Sequence, residues 1–145
     1  MKAESCATKG CPTRTRSRFC WRCRRRRRVE SARAFRSLPE RLRSKIDPSG
    51  PQFEGTPCWV WTAAATSRGY GSVWDRGSMR QAHLVVFEVV IRGGRKLRGK
   101  RRELDHRCRN RLCVNPTHLK PVTRGENNRR STCWHHLVGE RRQAL

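Results

Sequence analysis

Apolar side chains recur along this chain in three patterns, and each predicts a different kind of element. Between residues 29 and 46 they fall at Val29, Ala32, Phe35, Leu38, Leu42 and Ile46. These intervals of three and four place them on one face of an amphipathic helix, interrupted or restarted at Pro39, which lacks the amide that a helix interior requires. The opposite face is rich in arginine, a composition that suits phosphate contact and plain solvation equally. From Asp47 to Pro57 the pattern stops, because Pro48, Gly50, Pro51, Gly55 and Pro57 break regular structure, and the segment reads as a linker.

Beyond the linker the period shortens. The runs Tyr70–Trp74 and Ser78–Gln81 flank Asp75, Arg76 and Gly77, a turn signal between two short strands that predicts a β-hairpin. Ala82–Ile91 is apolar almost throughout and rich in valine, so periodicity fits a buried helix and a buried strand equally; it ends at Gly93 and Gly94. Further on, Asp105 and His106 stand together at the end of a short strand. Thr123 and Glu126 then make a T-x-x-E capping box that starts a helix, with Asn127 in its first turns. The longest apolar stretch, Leu84–Ile91, is interrupted by Glu88 and is too short to cross a bilayer.

Composition changes the picture in two ways. Of 145 residues, 34% are hydrophobic and 32% charged, so burial alone leaves the fold marginal unless metal sites or a partner add stability. Thirty-five Lys and Arg against 11 Asp and Glu give a formal charge of +24, which calls for a polyanionic partner, nucleic acid first among them. A ribosomal or RNA-packaging protein fits the charge equally well. The first residues carry no apolar leader and run into Cys6 and Cys11, so a cytoplasmic, reducing location is expected, where clustered cysteines bind metal rather than pair as disulfides. Cys6, Cys11, Cys20 and Cys23, spaced C-x4-C-x8-C-x2-C ahead of the arginine run Arg24–Arg28, suit a tetrahedral zinc site.

The specific chemistry lies in residues 103–133, ELDHRCRNRLCVNPTHLKPVTRGENNRRSTC. A carboxylate oxygen of Asp105 and the amide oxygen of Asn127 are hard ligands suited to Mg²⁺. His106, neutral near physiological pH, is then free to deprotonate an attacking water. Cys108, Cys113 and His118 follow at metal-ligand spacings and provide three ligands for zinc. Arg80, Arg129 and Arg130 are candidate phosphate contacts. Cys133 with His135 and His136 reads either as the remnant of a further metal site or as a free thiol beside surface histidines, and His83 either as a phosphate contact or as a packed ring.

The stretch LDHRCRNRLCVNPTHLKPVT, followed by Glu126 and Asn127, resembles the HNH endonucleases of bacteriophages, and its cysteine spacing is similar to that of the His-Cys box homing endonucleases of the same ββα-metal superfamily. The likeness covers about residues 58–133, with CWVWT at Cys58 and GYG at Gly69–Gly71 as weaker support. It implies a small ββα-metal (HNH) core with structural zinc; with the β-hairpin and the N-terminal zinc module of four cysteines read above from turn signals and spacing, the expected fold class is α+β. The corresponding division is a basic zinc-binding head at 1–28, a helical segment and linker at 29–57, the nuclease core at 58–136 and a basic tail at 137–145. The resemblance further implies hydrolysis of double-stranded DNA to 5′-phosphate and 3′-hydroxyl ends, with His106 as general base and Asn127 and Asp105 as metal ligands.

The resemblance also supplies Cys58 as the fourth ligand of a structural zinc, and a phage-encoded origin in a bacterial host. Where many members carry an asparagine before the second strand, this chain has His118, so some other group, such as a backbone carbonyl, must orient His106. Cutting both strands with a single site calls for a homodimer or for sequential nicks. The competing expectation is a non-catalytic, zinc-stabilised nucleic-acid-binding protein, for which charge and zinc suffice.

Overall fold

The computed structural model describes residues 4–5, 11, 14–15, 20–100 and 103–130. Glu4–Ser5 (β1) pairs with Arg14–Thr15 (β2) ahead of two helices, Trp21–Arg36 (α1) and Glu40–Arg43 (α2). Short strands follow at Ile46–Asp47 (β3), Gln52–Phe53 (β4), Thr56–Pro57 (β5) and Val60–Trp61 (β6), then a hairpin of Ser72–Asp75 (β7) and Ser78–Gln81 (β8). Helix Ala82–Arg92 (α3), strand Glu103–His106 (β9), a 3-10 turn at Pro116–His118, strand Leu119–Val122 (β10) and a helix over residues 124–130 (α4) complete the described chain. Among the described residues the strands pair in twos, all antiparallel, so this is a mixed α+β protein whose described core is not organised by a large sheet.

Two elements differ from the sequence reading, and the structure decides a third that it left open. First, α1 begins at Trp21, inside the cysteine-rich head, so the run Arg24–Arg28 is helical and the helix ends at Arg36. Arginine is a good helix former, and Arg26 pairs with Glu30 one turn on at 2.8 Å. The chain does break at Pro39, which caps α2, but Ile46 lies in β3, paired with Trp61. Second, the proline-dense linker contains a miniature hairpin of β4 and β5. Its turn residues Glu54 and Gly55 have φ of 49° and 84°, the left-handed pair that suits a two-residue hairpin loop.

Third, the valine-rich run is a helix. Val85, Val86, Val89 and Val90 repeat at intervals of four and pack on the core formed by Leu38, Leu42, Ile46, Trp59, Trp61, Val73 and Val114. Gly93, at φ 57°, supplies the left-handed cap that ends it. Phe87 on the same helix meets Leu104 of β9 and Leu119 of β10, so α3 is packed both on the tryptophan core and on the β9–β10 pair. The predicted β7–β8 hairpin forms around Arg76 and Gly77, at φ 50° and 81°. Gly71 before it is required by close packing, since a Cβ there would stand 2.6 Å from Cδ1 of Trp61.

One polar network is built into this packing. Arg80 of β8 donates to Asp75 at 2.8 Å and to both oxygens of Glu88 at 3.0 and 2.9 Å, while Arg41 reaches Asp75 at 2.9 Å and the amide of Leu97 donates to Glu88 at 2.8 Å. Burial alone would raise the Asp75 carboxyl, and the bonds from Arg80 and Arg41 outweigh it to hold the carboxyl below its ordinary value. Arg80 is therefore not the phosphate contact the sequence suggested: with 13% of its side chain exposed it is the counterion of two buried carboxylates. Arg80→Ala leaves both acids undercompensated and should cost about 3–5 kcal/mol. Urea unfolding of the zinc-loaded protein checks this, and a loss below about 1 kcal/mol, the worth of an exposed pair, would contradict the buried-network account.

Candidate functional site

Four ligand-bearing side chains that are distant in sequence meet beside β6. Cys58 precedes that strand, Cys108 and Cys113 come from the loop after β9, and His118 closes the 3-10 turn; their Sγ and ring nitrogen atoms all lie within 4.8 Å of one another. His118 Nδ1 is 3.5 Å from Cys58 Sγ and 3.4 Å from Cys113 Sγ. A tetrahedral zinc with ordinary Zn–S and Zn–N bonds sets such S···N edges at about 3.6 Å, so the donor set and its spacing fit that ion. The cluster is closed: Cys58, Cys113 and His118 are buried, and all four positions are protein side chains.

The surroundings orient these ligands. Thr56, fully buried on β5, lies with Oγ1 2.7 Å from Nε2 of His118 and itself donates to the carbonyl of Phe53 at 3.2 Å. With that hydroxyl proton committed to Phe53, the imidazole presents Nε2–H to the threonine and leaves Nδ1 bare for a metal. Asn115 accepts from the amide of Thr117 at 3.1 Å, starting the 3-10 turn, and donates to the carbonyl of Pro57 at 2.8 Å. Glu54 receives Arg107 at 2.5 Å and Arg27 at 3.4 Å, fastening the β4–β5 turn to the cysteine loop and to α1. The close approach of the three thiols lowers Cys108, pushes Cys58 up to about 11 and raises Cys113 as well.

A second group joins Cys11, Cys20 and Cys23, with Cys11 and Cys20 Sγ 3.7 Å apart at the start of α1. These three belong to the predicted set of four cysteines and can hold a metal ion; Cys6, the predicted fourth, lies outside the described residues. Cys133, His135 and His136 also lie outside them.

The polar site adjoins the first cluster through one residue. His106 ends β9 opposite Leu119, and its Nε2 lies 3.0 Å from the backbone carbonyl of Cys113. A carbonyl only accepts, so Nε2 carries the proton and Nδ1 is left with its lone pair. This is the orienting group that the sequence could not specify. His106 is 7% exposed, and burial lowers its pKa, so the ring is neutral. His83 of α3 packs against it with ring centroids 4.6 Å apart, and Tyr70 lies 5.8 Å from His106 and 5.7 Å from His83. His83 is thus a packed ring, though packed on the candidate base, and its buried Nδ1 has no hydrogen-bond partner among the described residues.

Asp105 and Asn127 lie at the contact of β9 with α4. The capping box forms as expected: Thr123 N donates to Glu126 Oε2 at 2.9 Å and Glu126 N to Thr123 Oγ1 at 3.2 Å. Asn127 does not bond Asp105; its Nδ2 donates to Glu103 Oε2 at 2.8 Å. Asp105, 5% exposed, is held by Arg130 at 2.6 Å and by Arg109 at 3.4 Å. Arg130 is thus the counterion of Asp105 in this structure, whereas Arg129 is exposed on α4. Glu103, Arg109, Thr56 and Tyr70 were missed from the sequence. Glu103 alone carried a signal, its strand alternation with Asp105 placing the two carboxylates on one face.

Cys113→Ser should remove one zinc per chain and destabilise the fold, since metal binding is also folding energy; metal analysis with thermal unfolding reads both, and full zinc content in a stable variant contradicts the site. Thr56→Val should weaken zinc binding about 10-fold in chelator competition. His83, with an ordinary value of 6.5, is held down to about 3 by burial and then by His106. Its folded value lies below its unfolded one, so acid favours unfolding: the stability it contributes is complete above pH 6.5 and is lost as pH falls towards 3. His83→Phe should flatten that slope in urea titrations with zinc content followed in parallel, and equal slopes would contradict the burial argument.

Comparison with known proteins gives one curated relative of distant homology. The chain is 34% identical over 88 residues to Protein 2.8 of Escherichia phage T7, a match covering 59% of this chain and 52% of that protein. The chain therefore spans about half the length of this phage relative. No protein-family model and no solved structure matches. No helix among the described residues is long and apolar enough to cross a membrane.

Proposed function

We propose that this protein is a metal-dependent DNA endonuclease of the HNH type, with β9, β10 and α4 as its ββα-metal unit. The observation that carries the reading is the tautomer of His106. Its Nε2–H is committed to the Cys113 carbonyl, which leaves a bare Nδ1 on a neutral ring beside Asp105. Any buried imidazole must satisfy its N–H, so the support for a base lies in the nitrogen left over, which keeps its lone pair on a neutral ring with a carboxylate as its sequence neighbour. In this reading Nδ1 of His106 takes the proton of a water that attacks phosphorus in line, the bond to the 3′-oxygen breaks, and the ends are 5′-phosphate and 3′-hydroxyl.

Asp105 and Asn127 offer hard oxygens to a divalent cation such as Mg²⁺. Both Asp105 oxygens have cationic partners here, and the Asn127 amide oxygen has no hydrogen bond among the described residues, so the donor set fits such an ion in exchange for the guanidiniums. When bound, the cation supplies charge stabilisation at the phosphate and its leaving oxygen. Arg130 and Arg109 then have the phosphate as their acceptor. The charge of +24 and the exposed α1 face bearing Arg22, Arg25, Arg26 and Arg33 beside Trp21 support duplex DNA as the partner. The two cysteine clusters serve as structural zinc sites.

One observation favours a second reading, a non-catalytic zinc-stabilised nucleic-acid binder: Asp105 is already neutralised by two arginines without any metal. Supercoiled plasmid incubated with the protein in Mg²⁺ or EDTA separates the two. Nicked or linear product is expected in Mg²⁺ alone, with His106→Ala slower by about 10²–10⁴-fold at unchanged zinc content. Cleavage by that variant at the wild-type rate removes His106 from the mechanism. Salt-sensitive binding without cleavage selects the second reading.

A further inference from the structure

Glu103 has a role that neither zinc binding nor the base chemistry uses. It stands two residues before Asp105 on β9, and strand alternation puts the two carboxylates on the same face, towards α4. Each meets one side chain of that helix: Glu103 takes the Asn127 amide at 2.8 Å and Asp105 takes the Arg130 guanidinium at 2.6 Å. In a chain with 35 Lys and Arg against 11 acids, Asp105 is held by two arginines while Glu103 has no ion pair among the described residues. Its partner is the neutral amide.

An ionised carboxylate has no proton to give, so the asparagine must turn its NH₂ towards it. That fixes the amide flip, which is otherwise free, since the two orientations of an asparagine are nearly the same in shape. With Nδ2 committed to Glu103, Oδ1 is turned away from that carboxylate, and among the described residues it has no hydrogen bond. Had the amide been reversed, it would present two N–H donors to a cation and repel it. The capping box adds the second constraint: Thr123 and Glu126 fix where α4 starts, so Asn127 enters its first turn at a set height above β9.

We infer that Glu103 is a positioning residue that sets the Asn127 amide so that Oδ1, and not Nδ2, is offered to the divalent cation; this rests on the endonuclease reading above. Glu103 acts as an acceptor and not as a ligand. A neutral acceptor of the same length therefore does the same work, and a side chain without an acceptor does not.

The test is Mn²⁺ binding to the zinc-loaded full-length chain, followed by electron paramagnetic resonance, with plasmid cleavage run in parallel. Glu103→Ala should weaken Mn²⁺ binding about 10-fold and slow cleavage by at least as much, whereas Glu103→Gln should stay near wild type in both. If Glu103→Ala fails to keep its zinc, Glu103→Met, of similar length and without a strong acceptor, takes its place. Mn²⁺ affinity unchanged in the acceptor-free variant overturns the inference, and so does a Glu103→Gln protein as weak as that variant, which would make the charge or direct ligation the operative feature. Wild-type protein that cuts while either of these holds leaves the endonuclease reading standing. Wild-type protein that neither cuts nor takes up Mn²⁺ removes both.

Discussion

Everything around the candidate site depends on the place where Cys58, Cys108, Cys113 and His118 meet. The chain has only a modest apolar core, built on Trp59, Trp61 and the valines of α3, and its strands pair no more than two at a time. Such short ladders do not hold a loop in place on their own. The cluster does so by joining the segment before β6 to both ends of the loop between β9 and β10. Cys113 makes this consequential for chemistry: its Sγ belongs to the cluster and its carbonyl accepts from His106. The group that fixes the fold and the group that fixes the imidazole tautomer are one residue, so a disturbance of the cluster is also a disturbance of the His106 ring.

The second organising feature is how a protein with this excess of positive charge treats its few acids. Asp75 and Glu88 share Arg80 under α3, Glu54 gathers Arg27 and Arg107, and Asp105 gathers Arg109 and Arg130. Each adds a polar tie between elements. Glu54 connects α1, the β4–β5 turn and the cysteine loop; Asp105 and Glu103 connect β9 to α4. Buried pairs of this kind add little net stability over apolar packing, but they are costly to break, and so they specify which segments sit together. The surplus arginines, including those along α1, stand on the surface as the exposed part of the charge of +24.

These two features also explain the shape of the candidate site. His106 and His83 are buried ring against ring, and both are pushed towards the neutral form, by burial first in each case. Next to His106, the carboxylates of β9 are bridged to α4 by an amide and a guanidinium. A neutral acceptor nitrogen thus lies next to a charged rim.

The sequence by itself determined whatever depends on local spacing. The hairpin around Arg76–Gly77, the break at Pro39, the capping box at Thr123 and Glu126, and the Cys–His spacing after His106 are each set by residues within a few positions of one another. The joining of Cys58 to the other three ligands was read by resemblance and not by spacing, since nothing local connects residues 58 and 108. Only the tertiary structure decided the rest. It made Ala82–Ile91 a helix, because a face of valines met the tryptophan core; it turned Arg80 inward and set Arg130 against Asp105, because buried acids lay within their reach; and it gave Asn127 to Glu103 rather than to Asp105. Arginines look alike in a sequence this basic, and the acid each one neutralises is fixed only when distant segments pack.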